Sequence, residues 1–271
     1  MERLIPEIKK CGVADVALIK YEDCEIINER LASNIGFAPK SVYICTVPYY
    51  TKFCNDKKTV SAYALAYDYH TLIQNIGETV VANAKSIFPN NYFRFFGDHS
   101  PINEKKAAAK AGLGIIGPHS LLITPKYSSY VFLCELITDL DCNAVAQEIK
   151  YCENCGRCIN ACPGFLSGTC DCLSSITQKK GELSDEEKEL IRKYKTVWGC
   201  DICQEVCPHT IKAIKNGEIY TDVNWFESNV ITCPDEESIN NVTDFKSRAY
   251  SWRGVNTILR NINILNGIDK D

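Results

Sequence analysis

The chain of 271 residues has no run approaching about 18 apolar residues, so nothing in it reads as a membrane-spanning helix. It also lacks an excess of positive charge: 30 Lys and Arg stand against 34 Asp and Glu, a formal net charge of -4. No global basic field draws such a chain to nucleic acid or to an anionic membrane, so any contact of that kind needs a local patch. The N-terminal stretch MERLIPEIKKCGVADVALIK has no basic segment leading into an apolar one. No secretory leader is therefore expected, and the cytoplasm is the expected compartment. There is no repeat of solenoid period and no low-complexity tract.

Cysteine is abundant instead, with 16 copies. A small secreted chain would use them as a disulfide scaffold, but this chain is long and has no export signal; in a reducing compartment, clustered cysteines hold metal. Cys152-x2-Cys155-x2-Cys158-x3-Cys162-Pro163 is the run that binds a 4Fe–4S cluster in bacterial ferredoxins. Two-residue spacers let three thiolates of one curled loop reach three irons, and the cysteine before proline is directed to a second cluster. A second run, Cys200-x2-Cys203-x3-Cys207-Pro208, is one cysteine short, and Cys170 or Cys172 completes it. The crossover of two-cluster ferredoxins assigns Cys152, Cys155, Cys158 and Cys207 to one cluster. The other takes Cys162, Cys172, Cys200 and Cys203, with Cys170 as the alternative to Cys172. Zinc would favour two C-x2-C pairs rather than a triple run ending in Cys-Pro. The scattered cysteines (Cys11, Cys24, Cys45, Cys54, Cys134, Cys142 and Cys233) read as small buried hydrophobes.

The remaining pattern predicts an α+β fold in three segments: an α/β cofactor and substrate domain over 1–149, a ferredoxin-like two-cluster module over 150–213, and a helical tail over 214–271 packing on the others. Helices are expected at 2–10, 69–85, 184–191 and 251–265, and strands at 14–19, 42–47, 92–96, 119–124 and 130–138. Ser100-Pro101 suits a helix start, with Ser100 as cap, and Gly112 suits its end.

GLGIIG, residues 112–117, spells the dinucleotide fingerprint G-x-G-x-x-G. A true fingerprint follows a strand and opens a helix. Here the Ala/Lys-rich helix precedes it and a strand follows, so the order is reversed and NAD binding is not expected.

The stretch GDHSPINEKKAAAKAGLGIIGPHSLLI (97–123) resembles the active-site segment of the epoxyqueuosine reductases, cobalamin- and iron–sulfur-dependent enzymes related to reductive dehalogenases. PKSVYICTVPYY (39–50), YDYH (67–70), CLSSITQKKGEL (172–183), WGCDICQEVCP (198–208) and RGVNTILRNINILNG (253–267) occur in the family's order. The resemblance implies a nitroreductase-like α/β domain holding cobalamin beside the ferredoxin-like module. Electrons would pass from an external donor of flavodoxin or ferredoxin type through the clusters to cobalt, and the epoxide oxygen would be removed from a modified base in a tRNA anticodon loop. Asp98 matches the family's proton donor. A carboxylic acid suits a deoxygenation, which consumes protons. The dipole of the helix that follows favours the ionised form, so acting as an acid requires burial or a bound cofactor; the alternative is that Asp98 only buttresses that helix. Tyr69, His70, His99 and His119 are the candidate corrin-pocket side chains. Gly112, Gly114 and Gly117 are positions where a side chain would block a bulky macrocycle or strain a turn.

Three departures accompany the resemblance. The sequence stops without the C-terminal helical repeat of long members. Leu65, Ala66 and Tyr67 stand where the family carries basic residues, and Pro118 where it carries lysine. Each replaces a potential phosphate or polar substrate contact. Lys179, Lys180, the Arg192–Lys195 segment, Arg248, Arg253 and Arg260 remain as basic candidates. Two other functions therefore stay open: a cobalamin and iron–sulfur reductase acting on a small molecule or on cobalamin itself, and an iron–sulfur electron-transfer protein without corrin.

Overall fold

Strand alternation and two small-residue helices build the first part of the protein, seen in a computed structural model that describes residues 1–168 and 171–268. The described residues fall into two units. One comprises 1–49, 70–154 and 212–222, the other 50–69, 155–211 and 223–271. The division is not contiguous in sequence. Segment 50–69 groups with the cysteine-rich stretch because the Ser61 N–H bonds the Trp198 carbonyl at 2.8 Å and the Ala62 N–H bonds Asp201 at 2.6 Å.

The first unit holds a four-stranded antiparallel sheet in the order β1-β2-β6-β3. Its strands are β1 (Asp15–Lys20), β2 (Ser41–Pro48), β3 (Phe93–Gly97) and β6 (Val131–Thr138); β4 (Ile115–Ile116) and β5 (Leu122–Ile123) form a separate ribbon. Every residue of β2 is buried, which fits an inner strand covered on both faces. Four helices accompany the strands: α1 (Leu4–Lys9), α2 (Glu29–Ser33), α3 (Tyr69–Ile87) and α4 (Glu104–Lys110). Helix α3 buries Ile73, Ile76, Gly77, Val80 and Ala84, one face at helical spacing. Gly77 lies so close against the Phe95 ring that a Cβ would overlap it. Helix α4 places Ala107, Ala108 and Ala109 in a core with Ile19, Val42, Ile44, Phe96, Ile102 and Ile137. Neighbouring strand residues face opposite ways, so Phe95 and Phe96 put α3 and α4 on opposite faces of the sheet.

Helix α4 starts later than Ser100-Pro101 suggests. Its cap is Asn103, whose side chain accepts from the Lys106 N–H at 3.2 Å. Ser100 is occupied otherwise: its hydroxyl donates to Glu135 and accepts from the Ile102 N–H. Gly112, at φ 85°, ends the helix as anticipated.

Among its described residues the second unit contains helices and isolated bridges but no extended strand. Helix Asp185–Tyr194 begins at a capping box between Ser184 and Glu187 and packs with helix Val255–Leu265 around Leu173, Ile176, Leu183, Leu190, Ile191 and Ile264. Asn261, fully buried, donates to the carbonyls of Thr177 and Val197 at 2.7 and 2.8 Å. Among the described residues no helix is long and apolar enough to cross a membrane.

Candidate functional site

Strand β3 ends at Gly97, and the chain reverses at once: the His99 N–H bonds the Gly97 carbonyl at 2.8 Å. This forces Asp98 into the left-handed region at φ 64°. Asp and Asn tolerate that region better than other residues with a Cβ, and a turn held there is locally strained. The strain projects the Asp98 carboxylate to His70, in the first turn of α3, with Oδ2 and Nε2 3.0 Å apart. Both side chains are about half exposed, 57 % and 49 %, so a ligand arriving from solvent can meet them. A hydrogen bond between them needs one proton, carried by the imidazole nitrogen or by the carboxyl according to the tautomer. His99 is exposed beside them.

Two carboxyl groups that the sequence reading did not single out lie behind this turn. Glu135 is fully buried on β6 and accepts the Ser100 hydroxyl. Glu104, the first residue of α4, meets Glu135 side chain to side chain and accepts the Asp98 main-chain N–H. Burial pushes Glu104 up to about 7 and drives Glu135 well above the usual carboxylate range. The signal was legible in VFLCELIT, where Glu135 shares the strand face of Leu133 and Ile137, an apolar face carrying one acid.

The glycines of GLGIIG are accounted for by the chain around them. At Gly114 a Cβ would overlap the Ile123 carbonyl across the β4–β5 ribbon. At Gly117 it would come within 2.6 Å of the His119 ring, and at Gly112 within 2.8 Å of the Gln147 side chain. His119 is thereby tied locally: its Nδ1 accepts the Leu121 N–H at 3.2 Å, and burial lowers its basicity. Gly114→Ala is expected to destabilise the protein by about 1–3 kcal/mol, because rigid main chain has to move. A thermal melt indistinguishable from wild type would show that the ribbon yields freely.

In the second unit, Tyr69 packs edge-on to Tyr63 with ring centroids 6.1 Å apart. Helical turns follow the cysteines: Arg157–Asn160, Pro163–Leu166 with Pro163 in its first turn, and Ile202–Glu205. Burial pushes the Cys200 and Cys203 thiols up to about 12. Cys172 bears electrostatically on both, and Cys162 and Cys158 bear on Cys203, so these thiols share one neighbourhood. That set of soft donors fits an iron–sulfur cluster, which must displace the thiol protons on binding. Cys170 lies outside the described residues.

Three of the basic candidates are engaged inside the second unit. Arg248 is 2 % exposed and bonds Asp244 and the carbonyls of Leu65 and Asn229. Arg260 bonds the carbonyls of Lys179 and Gly181. Lys179 pairs with Asp171 and Glu187.

Residues 151–210 match the 4Fe-4S double cluster binding domain. Over 205 residues, 72 % of this chain, the sequence is 32 % identical to the epoxyqueuosine reductase of Lactococcus garvieae, and the match spans 57 % of that protein's length. The solved epoxyqueuosine reductase of Streptococcus thermophilus has a similar fold, with a TM-score of 0.74 at 22 % identity over 97 % of this chain and 80 % of that one. An epoxyqueuosine reductase solved with an epoxyqueuosine-modified tRNA stem loop gives a TM-score of 0.73 at 22 % identity, covering 98 % and 80 %.

Proposed function

Because the chain belongs to the epoxyqueuosine reductase family, we propose that it reduces epoxyqueuosine to queuosine in tRNA, using two 4Fe–4S clusters and cobalamin. The observation that carries this reading is the Asp98–His70 pair, a proton-holding couple presented to solvent at the end of a strand. Removing an epoxide oxygen takes two electrons and two protons, leaves a carbon–carbon double bond and releases water. The clusters, held by the two cysteine sets, would supply one-electron transfer, and an external donor of flavodoxin or ferredoxin type would feed them. Cobalamin, when bound, supplies the metal chemistry at the epoxide carbon. The proton on the departing oxygen comes from Asp98, and the His70 imidazole keeps that proton in place until it is needed. The nitroreductase-like description of the first unit belongs to this reading, as do the corrin contacts from Tyr69, His70, His99, His119, Gly112, Gly114 and Gly117. Among these, the exposed edge of His70 and His99 beside Asp98 suits a ligand that approaches from outside.

The ligand sets are those of the spacing: Cys152, Cys155, Cys158 and Cys207 for one cluster, Cys162, Cys172, Cys200 and Cys203 for the other. Anaerobic reconstitution should load about eight irons per chain. Cys203→Ala should hold about four, and retention of all eight would overturn the assignment.

A second reading, the same chemistry on a small molecule, is favoured by one observation. Leu65 and Ala66 are buried, and Arg248 and Arg260 are engaged on internal carbonyls, so the phosphate-binding surface is reduced. Nucleoside analysis of tRNA from a deletion strain separates the two. Accumulated epoxyqueuosine supports the tRNA substrate, and normal queuosine supports the small molecule.

A further inference from the structure

We propose that Glu104 and Glu135 are a positioning pair for Asp98: two buried carboxyls that share a proton behind the Asp98 turn and hold its main chain. Their function in turnover rests on the reductase reading above, whereas the shared proton does not.

The sheet register puts Glu135 where it is. It lies opposite Ile44 on β2 and Phe96 on β3, and both of those residues belong to the core under α4. Cross-strand partners share a face, so Glu135 points into that core, beneath an alanine-rich helix. The N-terminus of the same helix carries Glu104. Ser100 donates its one hydroxyl hydrogen to Oε1 of Glu135. Oε2 of Glu135 and Oε1 of Glu104 are both buried, and no donor among the described residues faces either.

Two ionised carboxylates in contact in an apolar site repel each other and leave buried acceptors unsatisfied, which is the most costly arrangement. A single proton removes both problems: the protonated carboxyl donates to its ionised neighbour, as in other paired acids. The direction of that bond is set by depth. Glu135 is the deeper group and keeps the proton, and Glu104 accepts it. The ionisable groups facing the pair are Asp98 and Lys105 beside Glu104, and Cys24, Cys45 and Cys134 around Glu135. The Cys24 thiol is itself pushed up to about 12 by burial, so it adds no negative charge near neutrality.

Glu104 also accepts the main-chain N–H of Asp98, the residue held at φ 64°. Ionised Glu104 grips that N–H, and its charge opposes a negative charge on the Asp98 side chain. A protonated Glu104 does neither as well. The stability linkage has a definite sign. Below about 4.5 Glu104 is protonated whether the chain is folded or unfolded; between about 4.5 and about 7 only the folded chain holds that proton. Stability therefore falls as pH rises through this window.

The test uses the full-length protein without substrate, by infrared spectroscopy with labelled glutamate. Wild type at pH 8 should show a protonated-carboxyl stretch that Glu135→Gln abolishes. Absence of that band in wild type, or its persistence in Glu135→Gln, overturns the proposal. If Glu135→Gln does not fold, Glu104→Gln carries the test, and the decline of its stability between about pH 4.5 and about 7 should be shallower than in wild type, because Glu135 alone remains to hold a proton there. An unchanged decline in that variant also overturns the proposal. In the reconstituted enzyme Glu104→Gln should lower turnover about tenfold to a hundredfold, the scale of a misplaced reacting group. It should also remove the pH-profile limb near 7. If the spectroscopic signature is present but no substrate is turned over by wild type, the shared proton stands and the reductase reading fails.

Discussion

Asp98→Asn is expected to keep the fold and the iron content and to lose about 10²- to 10⁴-fold in turnover, the range that general acid catalysis supplies. The substitution isolates the proton. Asparagine accepts the left-handed conformation at φ 64° at least as well as aspartate, so the turn after β3 survives. Its amide keeps hydrogen-bonding capacity toward His70, 3.0 Å from the carboxylate in the wild type. What it cannot do is release a proton to a departing oxygen. Alanine would be a poorer test, because a loss of activity could then arise from the strained backbone. The loss should appear in kcat with KM little changed, because the interaction lost is one made in the transition state. Turnover within about threefold of wild type would remove Asp98 from the chemistry, since a general acid contributes far more than that.

Arg248→Ala should destabilise the protein by about 3–5 kcal/mol, the cost of leaving a buried ion pair without one partner. Arg248 is gripped on three sides within the second unit. Its Nε and Nη2 form a bidentate pair with Asp244 at 3.0 and 2.9 Å, and its Nη1 donates to the carbonyls of Asn229 and Leu65. The guanidinium also lies over the Tyr67 ring, 4.7 Å from the centroid. Removing it strands an acid and two carbonyls. Arg248→Lys should recover only part of the loss, because an ammonium cannot reproduce the planar fork or the stacking. At the usual entropy of unfolding, the alanine variant should melt roughly 6–20 °C lower. A shift below about 1 kcal/mol in chemical denaturation would mean that the second unit repacks around the gap.

The same residue shows how position along the chain misleads. By sequence Arg248 is one basic residue among several in a polar tail. In the structure it joins segment 50–69 to the tail within the second unit, and it is withdrawn from any phosphate-binding surface. Arg260 is likewise engaged within the second unit, on the carbonyls of Lys179 and Gly181. The Leu65 and Ala66 positions, where the resemblance led one to expect basic residues, are buried in this chain, so their apolar character follows from packing.

The sequence by itself determined what depends on short range. Cysteine spacing set the iron–sulfur reading, because a chelating loop is built from a few consecutive residues. The Ser184–Glu187 capping box, the Gly112 stop, the face of α3 and the four sheet strands were all legible, since caps and periodicity act within a turn or a strand. The start of α4 was misplaced by three residues because the competing partner of Ser100 is Glu135, 35 positions away. Only the tertiary structure decided the site. His70 and Asp98 are 28 residues apart and meet because α3 packs on β3 through Gly77 and Gly97. Glu104 and Glu135 meet because the register sets Glu135 opposite Phe96, under α4. A register shifted by one residue would turn Glu135 to the other face, and no local rule of sequence fixes that choice.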